Sequence, residues 1–350
     1  MTLRHVRALD GVRGVAVAVV VAHHICVRAV DPAFSGWSGV DLFFVLSGFL
    51  ITQSILTSGT GGSIDLAGFY RRRFWRLAPA LTVLLLVAVV VWPEGASGKV
   101  VFGAAAQWLN IQQGFGEPPF SPHLGHVWSI SAEVQFYAVW ALGLALLLRL
   151  RVPRWAIVAL VASVFVASQV ARMVIVGDGD FLWYRPYFAP DTRSAALATG
   201  CITGLAFAWG WLDGLLARRA LAVLTVPAAV ALWWATTTHH LDEHLYTVAL
   251  PLVAIAGAIL VGAAATGAPS PIRSVLELAP LALLGRISYS LYLWHLPIFE
   301  EIGDRRGNDD LLGMTLIGVP LALAAALASY ALVERPLLRG WRRARVPTPA

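Results

Sequence analysis

Charged residues and cysteines are both scarce in this sequence. Of its 350 residues, 13% are charged and 2 are cysteine, whereas 58% are hydrophobic. Soluble globular chains carry about 25% charged residues, and a disulfide scaffold needs far more cysteine. Disordered chains have the opposite composition. The composition excludes these classes and indicates an integral membrane protein.

What the sequence has instead is a series of apolar runs of roughly 20 residues, the length that spans a bilayer. Turn or charged residues separate them. Ten runs predict transmembrane helices, at Val12–Val30, Trp37–Leu56, Leu77–Trp92, Trp128–Leu148, Trp155–Val176, Ser194–Trp211, Ala220–Thr237, Leu245–Thr266, Leu281–Glu301 and Leu311–Glu334. An eleventh run, Val100–Ile111, covers roughly 18 Å, too little for a hydrocarbon core of about 30 Å. We therefore expect an all-α polytopic bundle of about ten transmembrane helices plus one short non-crossing segment, with no soluble domain.

The positions of the basic residues predict the orientation. Cytoplasmic loops are enriched in Lys and Arg. If the N-terminus is cytoplasmic and residues 100–111 do not cross, most of the 26 Lys and Arg residues fall in cytoplasmic segments. We expect a multi-pass protein of the cell membrane with both termini cytoplasmic, a membrane domain over residues 1–338 and a short basic tail at 339–350. The net charge of +6 then reflects topology and contact with the lipid bilayer, not nucleic acid.

Ionisable side chains at membrane depth are costly, so each is a candidate functional residue. Arg13 and His24 lie eleven residues apart in the first span. At about 100° and 1.5 Å per residue they share one helix face, about 16 Å apart along the axis. The adjacent His23 lies about 100° away from that face. A hydrogen bond between helices is the alternative role for a histidine here.

Further polar residues lie at similar depth on other spans. In this orientation the outer half holds His24, Asp41, Glu133, Asp191, Arg193 and His295. Such a set on five helices predicts a shared polar cavity, and we expect no metal site. Two simpler interpretations remain open. Asp41 can complement a helix N-terminus, with Ser47 and Gly48 making close helix contact, and Asp191 can pair with Arg193.

A cluster of arginines precedes Pro79, at Arg71, Arg72, Arg73 and Arg76. Such a cluster can anchor a helix on the cytoplasmic side. It can also bind a phosphorylated cytosolic ligand through forked guanidinium groups.

Six motifs occur in one order along the chain. They are Leu9–Gly14 followed by His24, Gly39–Phe49, Phe69–Pro79, Trp128–Tyr137, Asp191–Arg193 and Ile287–Pro297. In this combination the sequence resembles the acyltransferase-3 family of membrane O-acyltransferases, from Leu9 to Pro336. Two positions depart from the family pattern: Val134 stands where many members have a second Glu, and Ser194-Ala195-Ala196 replaces the usual Ala-Asp-Gly or Ala-Asp-Ala.

The resemblance implies transfer of an acyl group, with acetyl expected, from cytosolic acyl-CoA to a hydroxyl. Acyl-CoA is then a co-substrate, and no bound cofactor is expected. Arg73 and Arg76 would bind the CoA phosphates, and Arg13 would mark the donor's path. His24 would act as general base or carry a transient acyl group, and Glu133 would orient or protonate it. The acceptor side would hold Asp41, Asp191, Arg193 and His295.

The resemblance leaves the acceptor open between a cell-envelope glycan, a glycolipid and a small glycosylated metabolite such as a macrolide. No esterase-like domain accompanies the motifs, so we expect a stand-alone membrane module. A different class, a transporter or flippase of a glucan or a polyprenyl-linked sugar, would also suit intramembrane charges. Transporters of that kind often have internal repeats, and none is visible in the sequence.

Overall fold

The computed structural model describes residues 5–29, 34, 36–58, 64–116, 121–178, 182–239, 241–307 and 310–337, and all regular structure within these ranges is helical. The α-helices are α1 (Arg7–Ala29), α2 (Trp37–Leu56), α3 (Leu66–Val91), α4 (Gly98–Ala105), α5 (Leu109–Phe115), α6 (Trp128–Arg149), α7 (Arg154–Gly177), α8 (Tyr184–Phe188), α9 (Pro190–Ala208), α10 (Leu215–Ala235), α11 (Leu250–Thr266), α12 (Pro271–Leu276), α13 (Ala279–Arg286), α14 (Ser288–Arg306), α15 (Leu311–Gly313) and α16 (Val319–Ser329). The tail predicted at 339–350 lies outside the described residues.

Eight helical segments of the described chain are long and apolar enough to cross a membrane. They are Arg7–Cys26, Trp37–Leu56, Leu66–Val91, Gly125–Arg149, Arg154–Gly177, Leu215–Ala235, Leu245–Thr266 and Leu311–Leu337. The all-helical, multi-pass prediction is therefore confirmed in its coarse form, whereas the count of about ten is not.

Two predicted spans, Ser194–Trp211 and Leu281–Glu301, account for the difference. The first corresponds to α9, which begins with polar residues and buries Arg193. The second is divided at Ile287 into α13 and α14, and α14 buries His295. Because these helices bury charged or polar side chains among other helices, their composition is less apolar than that of a lipid-facing span.

The short segment at residues 100–111 forms parts of two helices, α4 and α5. Between them Gln107 adopts a φ of 57°, a left-handed conformation that ends the first helix. With 8 and 7 residues, the two helices reach about 12 and 10 Å, so neither alone crosses a bilayer. This agrees with the predicted non-crossing segment.

Helix α2 packs in the centre of the bundle and touches its neighbours at glycine positions. A Cβ built on Gly48 would lie 2.2 Å from the carbonyl oxygen of Leu197 in α9, and one on Gly200 would lie 2.0 Å from that of Val45. Small residues allow helices in membranes to approach this closely. The close helix contact considered for Gly48 is therefore present.

Helix α1 also makes close backbone contacts at glycine positions, with α12 and α13. A Cβ on Gly11 would lie 1.9 Å from the carbonyl oxygen of Leu276 in α12, and one on Gly285 would lie 1.8 Å from that of Asp10. These backbone contacts fix the helix that carries Arg13 and His24.

We expect Gly200→Leu to prevent α2 and α9 from packing, because the added side chain would overlap the backbone of Val45. Overpacking a core typically costs about 1–3 kcal/mol, and a clash with backbone relaxes least. Gly143→Leu is the matched control, since a Cβ there meets nothing within 4 Å. Thermal unfolding and size-exclusion profiles of the purified variants measure the effect. Equal stability of the two variants would contradict the proposed packing.

Candidate active site

Three of the predicted arginines line one cavity, which we call the arginine cavity. Arg13 enters from α1, and Arg73 and Arg76 enter from α3. Glu133 of α6 lies on the same wall. With three guanidinium groups and one carboxylate among these lining residues, the cavity suits an anion with several charges.

Neighbouring side chains fix the positions of these charged groups. The Ser47 hydroxyl donates a hydrogen bond to Oε1 of Glu133, so a residue considered for helix contact serves instead to bind this carboxylate. The guanidinium of Arg73 lies 5.0 Å from the ring centroid of Tyr137, one turn after Glu133. A cation over an aromatic face is stabilised even when it is partly removed from water.

Tyr289 was not singled out in the sequence, although it lies in the Ile287–Pro297 motif. Its hydroxyl donates to the carbonyl oxygen of Leu77, 2.7 Å away in α3, and its ring lines the arginine cavity. The next residue, Ser290, donates to the buried carboxylate of Glu334. The first bond holds α14 beside the helix that carries Arg73 and Arg76, and the second joins α14 to the last helical segment, Tyr330–Glu334.

A second cavity is lined by His24, and we call it the histidine cavity. Its aromatic lining comes from Trp37, Trp128, Tyr187, Phe188 and Tyr292. Its polar lining includes His23, His24, Gln113, His126 and Glu300. A mostly apolar wall with a few polar groups is typical of pockets for small ligands.

The hydrogen bonds of His24 define its tautomer. Its Nδ1 lies 2.9 Å from the Val20 carbonyl oxygen and 3.3 Å from Nε2 of His295. Nδ1 of His295 lies 2.7 Å from the carbonyl oxygen of Tyr292, so this nitrogen carries the proton and its Nε2 is an acceptor. We assign the proton of His24 to Nδ1, since both of its neighbours accept. The lone pair of Nε2 is then available to take a proton.

His23 has a different environment from His24. Its Nδ1 lies 3.0 Å from the carbonyl oxygen of Phe34, and its ring packs 4.9 Å from that of Trp37. The bond to Phe34 ties α1 to the chain before α2. Although His23 touches the histidine cavity, its contacts are those of a structural residue.

His126 and Tyr292 belong to this site and were not among the predicted site residues. The His126 ring lies 5.4 Å from that of His295, and its Nε2 lies 3.1 Å from the Leu293 carbonyl oxygen. The Tyr292 hydroxyl donates to the His126 carbonyl oxygen at 2.8 Å and lies 2.6 Å from Oγ of Ser129. Both residues could have been found from their positions in the sequence. His126 precedes the Trp128–Tyr137 motif by two residues, and Tyr292 lies one helical turn before His295.

Asp41 and Arg193 form a buried ion pair that does not line either cavity. Nη2 of Arg193 lies 2.6 Å from Oδ2 of Asp41, and each side chain is 1% exposed. The guanidinium also packs 4.6 Å from the ring centroid of Tyr187 and 5.5 Å from that of Trp128. Both aromatic residues line the histidine cavity. The pair thus supports the wall of this cavity from behind.

Asp191 pairs with Arg185 rather than with Arg193. Both carboxylate oxygens accept hydrogen bonds of 2.7 Å from the guanidinium of Arg185, which also packs 4.1 Å from the ring of Phe115. The Asp191 side chain is half exposed. The predicted ion pair between Asp191 and Arg193 is therefore wrong, because each residue has a different partner. Asp191 instead links α9 to α8 through Arg185.

The predicted single polar cavity is divided in the structure. His24 and Glu133 line different cavities, so Glu133 does not contact His24. Glu133 contacts Ser47, which lies about 15 Å along α2 from Trp37, near the middle of a bilayer-spanning helix. Of the described residues, Val40 and Tyr292 line both cavities.

Comparison with known proteins agrees with the motifs. The sequence profile described as an acyltransferase domain, that of the acyltransferase-3 family, matches residues 6–334, and the chain belongs to this family. It is 33% identical over 317 residues to the peptidoglycan O-acetyltransferase OatA of Listeria monocytogenes, covering 84% of this chain and 49% of that protein. It is 28% identical over 358 residues to the O-acetyltransferase OatA of Staphylococcus aureus, covering 95% and 57%. The chain thus spans about half the length of these relatives. No solved structure gives a significant match.

Proposed function

We propose that this chain is a membrane O-acyltransferase that moves an acetyl group from cytosolic acyl-CoA to a hydroxyl of a cell-envelope glycan. The observation that carries the proposal is the meeting of the arginine cavity with the histidine cavity at Val40 and Tyr292. One cavity suits a polyanionic donor, and the other presents a histidine nitrogen with an available lone pair. Related proteins named as O-acetyltransferases support the same chemistry.

The donor binds with its phosphates at Arg73 and Arg76 and extends its thioester past Arg13. Guanidinium groups bind phosphate through charge-assisted hydrogen bonds, often in pairs. Glu133, which accepts the hydrogen bond of Ser47, lines the same cavity, and its negative charge offsets the repulsion among the arginines. These residues account for binding and orientation of the donor.

In the transfer step, Nε2 of His24 takes the proton of the acceptor hydroxyl. The hydroxyl oxygen forms a bond to the thioester carbonyl carbon, the carbon–sulfur bond breaks, and His24 returns the proton to the leaving thiolate. Nε2 of His295 accepts a hydrogen bond from Nδ1–H of His24 and so holds the ring in this orientation. A transient acyl-His24 uses the same nitrogen and remains the alternative route.

Sugar rings suit the histidine cavity because their C–H faces pack on aromatic side chains while their hydroxyls need polar partners. Trp37, Trp128 and Tyr187 supply such faces, and Gln113 and Glu300 supply polar groups. The relative from Listeria monocytogenes is named for peptidoglycan, which supports an envelope glycan as acceptor. Because Asp41, Arg193 and Asp191 do not line this cavity, we assign them a supporting role on the acceptor side.

For the orientation we propose that α9 and α14 cross the membrane along with the eight apolar segments. The chain then crosses ten times with both termini cytoplasmic, as the positive-inside rule indicates. The arginine cavity opens toward the cytosol, where acyl-CoA is found, and the histidine cavity opens toward the outside.

Replacing Arg73 and Arg76 together with Gln should weaken donor binding. Losing two charge-assisted contacts costs about 1.5–3 kcal/mol each, so we expect the KM for acetyl-CoA to rise at least tenfold. Arg71→Gln with Arg72→Gln is the matched control, because these residues lie on the same helix and do not line the cavity. Steady-state kinetics on purified protein measure both. Unchanged donor kinetics in the first variant would assign the cluster to membrane anchoring alone.

His24→Ala should abolish transfer, because removing a general base typically costs about 10² to 10⁴ in rate and removing a nucleophile costs more. His23→Ala should retain most activity, since the contacts of His23 with the Phe34 carbonyl and the Trp37 ring are structural. Transfer of radiolabelled acetyl groups in membranes, normalised to protein, separates the two. An active His24→Ala beside an inactive His23→Ala would overturn the assignment, and a protein that never consumes acetyl-CoA would favour a transporter.

The orientation can be tested with single cysteines in a background without Cys26 and Cys201. A cysteine at His244, whose side chain is 76% exposed, should react with a membrane-impermeant maleimide from outside. One at Arg151, in the loop between α6 and α7, should react only after the membrane is opened. The neighbouring His240 lies outside the described residues, so His244 is the better position. Reversed labelling would contradict the topology.

A further inference from the structure

We propose that Val40 and Tyr292 form a neck that determines which length of acyl chain is transferred. The inference rests on the proposed acyl transfer. It names two residues that select the acyl donor by the length of its acyl chain. It follows from where the two cavities meet.

The boundary between the cavities falls at one residue on α2. Leu50, Ser47, Phe43 and Val40 line the arginine cavity at intervals of three or four residues, so one face of α2 follows this cavity for about 15 Å. Val40 and Trp37 line the histidine cavity. Val40 is therefore the point on α2 where one space ends and the other begins.

The same boundary appears independently on two other helices. On α14, Tyr289 and Tyr292 line the arginine cavity, whereas Tyr292 and Leu296 line the histidine cavity. On α6, Trp128 lines the histidine cavity and Ser129 lines the arginine cavity. Three helices thus place the boundary at one level.

The two neck residues are held in place. The Tyr292 hydroxyl bonds to the His126 carbonyl oxygen and Ser129, and its ring packs 6.3 Å from that of Phe43. Val40 is 7% exposed and follows Gly39, where a Cβ would lie 2.6 Å from the Ala16 carbonyl oxygen in α1. Because the backbone beside Val40 touches α1 directly, the neck does not widen by a small shift of the helix.

An acyl group that reaches His24 from the arginine cavity must fit between these side chains. An acetyl group presents one methyl to the valine methyls and the tyrosine ring, and every added methylene needs further space. One methylene in an apolar pocket changes selectivity by about 10–200-fold. The neck therefore favours acetyl over longer chains.

The experiment compares acetyl-, propionyl- and butyryl-CoA with a chito-oligosaccharide acceptor and purified full-length protein in nanodiscs. Val40→Ala removes two methyl groups, and we expect it to raise the propionyl-to-acetyl transfer ratio about tenfold. Val45→Ala is the matched control. Val45 is buried on the same helix and lines neither cavity, so its profile should equal that of the wild type.

Val40→Ile narrows the neck and should shift the ratio in the opposite direction, which keeps the inference testable if Val40→Ala is inactive. Wild-type acetyl transfer together with unchanged ratios in both Val40 variants would overturn the neck and leave the proposed function standing. No transfer by the wild type with any donor would overturn the proposed function, and the neck with it. Melting temperatures of all variants separate altered selectivity from loss of folding.

Discussion

The buried ion pair between Asp41 and Arg193 is the interaction on which the site depends. It joins α2 to α9, and its guanidinium supports Tyr187 and Trp128, which form the wall of the histidine cavity. Removing one partner of such a pair typically costs about 3–5 kcal/mol, because the other charge is left buried and unpaired. A residue that touches neither cavity thus fixes the shape of one of them.

Much of the fold could be predicted from the sequence because lipid-facing helices show their apolar composition directly. Trp37–Leu56 was placed with the bounds that the structure gives it. The structure does not confirm the predicted crossings at α9 and α14, whose composition is less apolar because polar side chains there have protein partners. Hydropathy reports contact with lipid and does not report crossing as such.

The predicted site residues lie in a different arrangement from the single cavity that the sequence suggests. Helical phase separates His24 from His23, and in the structure the two have different partners: His23 bonds to the Phe34 carbonyl, whereas His24 lies beside His295. The depth of Glu133 in its helix did not predict which cavity it lines. The partner of a side chain also depends on how the neighbouring helices are rotated about their axes. The periodicity of one helix predicts which of its own residues share a face, but not which face of the neighbouring helix they meet. The contact between Glu133 and Ser47 therefore could not be predicted from the sequence.

The glycines on both sides of α2 have a consequence for how the molecule works. Gly39 meets the backbone of α1, and Gly48 meets that of α9. At these two glycines α2 lies directly against the main chain of its neighbours, so it cannot slide or turn there without a clash. Rocking of one half of a bundle against the other, as carriers use to expose a site alternately to two sides, would have to break these contacts. Such contacts favour a rigid scaffold around the two cavities over a bundle whose halves rock.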